Sequence, residues 1–319
     1  MSLRLLFLSL APLVLLAAAC RGPVQAGPSF TTLPASPGER PQLAFRPPEG
    51  VELVEETITE RTEAAWEGRT RTAPRSSRVE LVTASSWKGG EGGWVLHQRV
   101  RSVKAAVDGK AVEDPLLVLT TSFPVALRFA PDGAFVELLN REAVSQAVEA
   151  AFPEAAKRQA VLEFFTPEAV EEQARLEWDT RHGGLFGRPL EGAHPLYSVE
   201  STAVGQLPLA YVLERRLKGM AETPWGRALV LEQSCVQEAA KAVDAAGWTA
   251  AWEARGRPAL DPSLRCEGEQ VVALEPFVPL RSRLMLQARP ADAEGRVAGE
   301  LSWERRQALS APAGKAVAR

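Results

Sequence analysis

The chain has 319 residues, 45% of them apolar and 24% charged, enough for one large domain or two ordinary ones with a normal core. Its formal net charge of −3 excludes the broad basic footprint that nucleic acid demands of a partner. After the N-terminal apolar run no second stretch is long enough to cross a bilayer as a helix.

Arg4 opens the chain, Leu5 to Leu16 is apolar apart from Ser9 and Pro12, and Ala17-Ala18-Ala19 leads into Cys20. A charged start, a short apolar stretch and small residues make a secretory signal. The run is short of the roughly 20 apolar residues of a spanning helix, and Arg21, Gly22 and Pro23 follow at once. Small residues ending in a cysteine resemble the lipobox of bacterial lipoproteins, although Leu stands at position 16, one place before that motif's usual Leu. The resemblance implies cleavage before Cys20, acyl chains on its sulfur and nitrogen, and attachment to membrane lipid. Each buried CH2 contributes about 0.8 kcal/mol, so several chains hold a protein stably. An ordinary cleaved signal, with Cys20 incidental, is the alternative. Arg21 replaces the Asp that retains enteric lipoproteins at the inner membrane, so the resemblance favours the outer membrane.

Residues 20–48 read as a Pro-rich tether, because Pro23, Pro28, Pro34, Pro37, Pro41 and Pro47-Pro48 oppose helix and central strand alike. Strand signals follow. Val51 to Arg61 is rich in Val, Thr and Glu, and Val79, Leu81, Thr83, Ser85 and Trp87 alternate. Gly89 to Gly93 turns the chain into a return strand from Trp94 to Val107, and Asp108-Gly109 predicts a tight turn. Leu117 to Phe129 alternates at seven positions and reads as the clearest strand, with Pro124 marking an edge or bulge. Asp132-Gly133 turns into Phe135–Leu139.

The middle reads as helical. Asn140 is placed to cap a helix carrying Val144, Ala147, Val148 and Ala151. Thr166-Pro167-Glu168 is a start signal for a helix with Val170, Ala174 and Trp178 on one face, ended by Gly183-Gly184. Strands resume at Leu209, Tyr211, Leu213, Arg215 and Leu217, and at Leu229, Leu231, Gln233 and Cys235. Val236 to Arg255 reads as a helix with a small-residue face, then strands follow through Leu280–Leu286 and Val297–Trp303. Trp248 and Trp252, four apart, fit either a cavity lining or packing on the sheet.

This order predicts an α+β fold: a large curved antiparallel sheet, a half-barrel, with helices inserted between its two halves. Four segments result: a signal peptide 1–19, a tether 20–48, one domain 49–309 and a flexible tail 310–319. The acylated cysteine, the tether and the strand–helix–strand order resemble bacterial envelope lipoproteins with a curved half-barrel sheet, including lipoprotein carriers and lipid-binding lipoproteins.

Candidate chemistry is sparse. In an exported protein Cys235 and Cys266 form a disulfide or remain two buried thiols, the disulfide closing a loop of about 30 residues. His97, His182 and His194 stand at no metal-ligand or catalytic spacing, and no Gly-x-Ser-x-Gly elbow or phosphate-binding loop occurs. Glu55-Glu56 and Glu171-Glu172 read as solvated charges. No cofactor, metal or catalytic residue is expected, and no ligand-binding residue can be named. The expectation is a non-enzymatic envelope lipoprotein whose curled sheet holds an apolar ligand or lipid. The alternative is an interaction lipoprotein docking to an envelope protein complex.

Overall fold

The computed structural model describes residues 32–34, 40–67, 70–113, 115–162, 165–187, 189–190, 195–204, 207–236, 263–291 and 295–310. Cys20, His194, Trp248, Trp252, most of the predicted helix 236–255 and nearly all of the tail lie outside them.

The first half is built of β1 (Thr32–Pro34), β2 (Glu52–Glu67), β3 (Thr70–Arg71), β4 (Arg75–Gly90), β5 (Gly93–Val107), β6 (Lys110–Ala111), β7 (Val125–Phe129) and β8 (Phe135–Leu138). Helix α1 (Pro115–Thr120) precedes β7, and α2 (Arg141–Ala151), α3 (Ala155–Leu162) and α4 (Pro167–His182) follow β8. The second half is β9 (Leu196–Val204), β10 (Leu207–Thr223), β11 (Gly226–Cys235), β12 (Arg265–Ala273), β13 (Val278–Ala288) and β14 (Gly299–Leu309). All join one antiparallel sheet, in the main order β1-β10-β11-β12-β13-β14-β2-β4-β5-β7-β8. The sheet is open, and strand dominates helix. The two halves meet where β14 pairs with β2, from Leu309 opposite Glu55 to Gly299 opposite Ala65.

Sequence chemistry accounts for the turns. Asp108 and Gly109 both take positive φ, 44° and 86°, as a two-residue hairpin turn requires. Asp108 also accepts from the Ser76 backbone N–H at 2.7 Å. α4 begins as its residues dictate: Thr166 Oγ1 accepts from Ala169 N at 3.1 Å, and Pro167 occupies the first turn, where no backbone donor is needed.

Two expectations fail on identifiable grounds. Residues 115–120 are helical, not the start of a long strand. Pro115 pre-sets the first helical turn, and Thr120 and Thr121 hydroxyls donate back to the Leu117 and Val118 carbonyls, closing it. Leu117 and Leu119 are buried, so period-two burial survives inside a short helix; the strand itself begins after Pro124. Asn140 makes no side-chain cap on α2. Its amide ties down β7 instead, accepting from Ala126 N and donating to the Pro124 carbonyl.

The last part of the expected tether is core. Leu43 and Phe45 are buried, and Pro41, Leu43 and Arg46 carbonyls accept from Leu190, Gly187 and Phe277 N–H groups. Further upstream, β1 pairs with Gly219–Ala221 of β10. Pro-rich composition opposes helix but not an extended segment laid along a sheet edge or across a core.

Candidate functional site

Side chains on the concave face fall into three layers. The larger apolar cluster holds Phe45 at its centre, in ring contact with Trp87, Phe129, Trp178, Phe186 and Phe277 at centroid distances from 4.9 to 6.1 Å. Trp178, on α4, reaches across to donate its indole N–H to the Gly133 carbonyl at 2.9 Å. A smaller cluster at the other end contains Val204, Leu209, Leu213, Leu264, Leu286 and Leu301. There the sheet curls until β9 lies over β2 and β14. Arg61 donates to the Ala203 carbonyl at 2.5 Å, and a Cβ on Gly299 would stand 2.4 Å from Val204. Side chains, rather than a backbone ladder, draw this end together.

Between the clusters runs a polar layer. Strand register places Gln270, Ser282, Gln307 and Thr57 in one row across β12, β13, β14 and β2. Gln270, Gln307 and Thr57 are buried. The C-terminal turn of α4 descends onto this row. Arg181 pairs with Glu177 at 2.5 Å and Glu55 at 3.3 Å, and Arg305 pairs with Glu177 at 3.2 Å. Burial would raise the Glu177 pKa, but Arg181 and Arg305 outweigh it and hold the carboxyl below its ordinary range. Burial likewise opposes the Arg181 charge, which Glu177 and Glu55 restore. Glu177 keeps 42% side-chain exposure, so water screens its pairs.

Arg215 is the largest wholly buried side chain among the described residues, at 1% exposure. It donates to the Arg181 carbonyl at 2.8 Å and the Gly183 carbonyl at 3.1 Å, and Gln270 also donates to the Arg181 carbonyl, at 3.2 Å. The last carbonyls of a helix lack intrahelical donors and carry partial negative charge. A strand guanidinium therefore caps α4 from below. The sequence placed Arg215 on an inward-facing row among Leu209, Tyr211 and Leu213; a charged residue at such a position was the available signal of a buried polar layer.

His182 sits at the junction, buried, its ring 4.4 Å from Trp178 and 5.2 Å from Phe277. Burial, then the charges of Arg181 and Arg215, hold its pKa well below 6.5, so the imidazole is neutral. Its Nδ1 and the Gln270 Oε1 have no hydrogen-bond partner among the described residues. Both residues line a small cleft with Glu55, Arg181, Ser282 and Gln307, where short Ser282 leaves a gap between two glutamines. With His182 neutral, Glu55, Glu177, Arg181, Arg215 and Arg305 together carry one net positive charge, and among the described residues no hydrogen bond joins a nucleophile to a base in this cleft.

His97 is exposed on β5. Glu171 is more than a solvated charge: it accepts from Leu138 N at 3.0 Å and pairs with Arg141, covering the edge of β8. Glu55 belongs to the polar layer. Cys235 and Cys266 form a disulfide between β11 and β12, with Cα atoms 5.1 Å apart, at the base of the excursion between these strands. Among the described residues, no three His, Cys, Asp or Glu side chains gather as metal ligands, and no helix is long and apolar enough to cross a membrane.

The convex face is ionic. Lys104, Glu80, Arg78, Glu60, Arg306, Glu304 and Arg283 pair in sequence across β5, β4, β2, β14 and β13. Arg281 and Lys218 meet on Glu269, extending the lattice to β12 and β10. A lipid-facing sheet carries an apolar band there instead.

No family model matches the chain, and no curated protein matches it. A structure of lipid–protein interactions in lipovitellin is similar at 7% identity and a TM-score of 0.42, over 86% of this chain and 26% of that one. The chain thus spans about a quarter of that protein. DynF from the dynemicin biosynthesis pathway of Micromonospora chersina is similar at 9% identity and a TM-score of 0.20, over 95% and 97% of the two chains. An outer membrane channel from Pseudomonas putida F1 gives 8% and 0.21, over 83% and 98%. Likenesses this slight assign no chemistry to the chain.

Proposed function

We propose that this chain is a non-enzymatic lipoprotein of the bacterial envelope, held through Cys20, with the outer membrane favoured over the inner, and that it docks to an envelope protein complex. The carrying observation is that protein atoms occupy the concave face. Helix α4, Leu43 and Phe45 fill one end, the paired polar layer spans the middle, and the sheet's own side chains fill the other. An apolar ligand would have to displace α4 and break its cap. The ionic convex face supports a sheet turned to water rather than to lipid.

Native mass spectrometry of the exported full chain tests this. The expected mass is that of the processed protein with its covalent acyl chains and nothing that dissociates. A further lipid released on activation would overturn the docking reading in favour of a lipid holder. Separately, Cys20→Ala is expected to leave the membrane pellet after a carbonate wash; retention there would remove the anchor.

A further inference from the structure

We infer that the cleft beside His182 is a binding site for a single water molecule, held by Arg181, Gln270 and His182. The inference goes beyond the docking reading and does not depend on it. Three polar atoms of residues lining this cleft are buried without a hydrogen-bond partner among the described residues: Arg181 Nε, Gln270 Oε1 and His182 Nδ1. Gln270 and His182 are 4% and 3% exposed, so bulk solvent does not supply the missing partners. An unmatched buried polar atom costs about 1–3 kcal/mol, which gives a ligand here something to recover.

What each residue already does fixes what the ligand must do. Gln270 donates through Nε2 to the Arg181 carbonyl, so its Oε1 is left to accept. Arg181 gives its two terminal nitrogens to Glu55 and Glu177, so its Nε–H is left to donate. The neutral His182 ring accepts or donates at Nδ1 according to which nitrogen carries its proton. A metal cation would face the Arg181 N–H inside a layer that is already net positive, and an anion would face the Gln270 oxygen. A water has two hydrogens and two lone pairs and matches all three atoms with either form of the ring. Three hydrogen bonds are the usual number for a buried water.

The fold makes the room. Val271 and Val272 of β12 pair with Arg281 and Pro279 of β13, so Leu280 between them is an extra, unopposed residue. Such a bulge disrupts the ladder locally. The cleft lies against it, and Ser282, next along β13, is short where its cross-strand neighbours are Gln270 and Gln307. The space admits one water and nothing larger. The water adds a second tie between the last turn of α4 and β12, beside the Gln270–Arg181 bond.

Magnetic relaxation dispersion of the water oxygen, which counts long-lived internal waters, tests the site in the full chain. Ser282→Val fills the space with methyl groups and should hold one fewer such water than the wild type. Ser282→Ala keeps the space and should keep the count. In the wild type, water should also give a rotating-frame cross-peak of long residence to the Gln270 side-chain amide hydrogens, lost in Ser282→Val. Equal counts in all three proteins would put every internal water elsewhere and overturn the site. Absence of the Gln270 cross-peak in the wild type would overturn it as well, and that measurement decides alone if Ser282→Val does not fold.

Discussion

Arg215→Met isolates the polar layer's main structural role. Methionine matches the arginine stem in length but offers no donors. The variant loses two charge-assisted hydrogen bonds to the α4 C-terminus, at 2.8 and 3.1 Å. Bonds of this kind are worth about 1.5–3 kcal/mol each. The Arg181 carbonyl keeps Gln270 as a donor, so its loss is the smaller of the two. Burying the methionine side chain returns about 1.5–3 kcal/mol, and the guanidinium's own desolvation cost disappears. Against that, the carbonyl end of α4 is left facing an apolar neighbour. The net expectation is a loss of about 3 kcal/mol, near the lower end of the cost of breaking a buried pair. At about 2–4 °C per kcal/mol for a large domain, Tm falls by about 6–12 °C. Urea unfolding at neutral pH reads the free energy, and hydrogen exchange should locate the extra opening in α4. Arg215→Lys, a point donor without the planar fork, should fall between the two. An Arg215→Met protein within about 1 kcal/mol of wild type would refute the capping argument.

Three more predictions follow from the same geometry. His182 has a folded pKa below its unfolded value of 6.5, so the unfolded chain binds the extra proton as pH falls. Its contribution is complete above pH 6.5 and is lost going down, at a slope of up to about 1.4 kcal/mol per pH unit. Urea midpoints at pH 6.5 and 5.5 should therefore converge in His182→Gln; an identical pH slope in both proteins would place the titration elsewhere. Removing the disulfide in Cys235→Ala/Cys266→Ala, with a sequence separation of 31, should cost about 3–4 kcal/mol by guanidinium titration, and no change would mean that the unfolded chain is not constrained by it. Gly133 has φ of 86°, and a Cβ there would stand 2.8 Å from Phe186 and 2.9 Å from Phe45. Gly133→Ala should thus lose about 2 kcal/mol through strain and displaced rings, which thermal unfolding would register.

Local chemistry was readable wherever a local rule had no competitor. Thr166-Pro167 and Gly183 bound α4, and Asp108-Gly109 and Asp132-Gly133 turn as their residue types require. The same rules miscarried where a distant partner decided the outcome. Asn140 had a free choice between its own helix and β7, and the β7 backbone took its amide. Leu117 and Leu119 are both buried although residues two apart lie on opposite sides of a helix, so α1 is covered on more than one side and their alternation does not separate it from a strand. Leu43 and Phe45 carry no periodicity, so nothing local separates them from the Pro-rich stretch before them. The polar layer was visible only as Arg215 and Gln233 among the apolar positions of two alternating strands; Gln270 and Gln307 lie in stretches that received no strand assignment. Their meaning depends on strand register across four strands and on where α4 ends, and neither is a property of any one segment.

The layer also answers a problem that apolar packing leaves open. A helix lying in a curved trough of leucines and aromatics can slide by a turn and bury nearly the same area. α4 cannot, because its contacts differ in kind along its length. Trp178 must find the Gly133 carbonyl, Arg181 must meet Glu55, and the carbonyls of Arg181 and Gly183 must fall on Arg215. A one-turn shift of about 5.4 Å breaks all of these together and leaves charges buried without partners. Buried ion pairs add little net stability over apolar replacements. Their consequence here is uniqueness: the helix that fills the half-barrel has one address in it. Replacing Glu55, Glu177, Arg181 and Arg305 together with apolar residues of similar volume, with Arg215 kept as the cap of α4, should therefore preserve most of the unfolding free energy while broadening the NMR resonances of α4. Sharp, single resonances in that protein would mean that the ion pairs are not what fixes the helix.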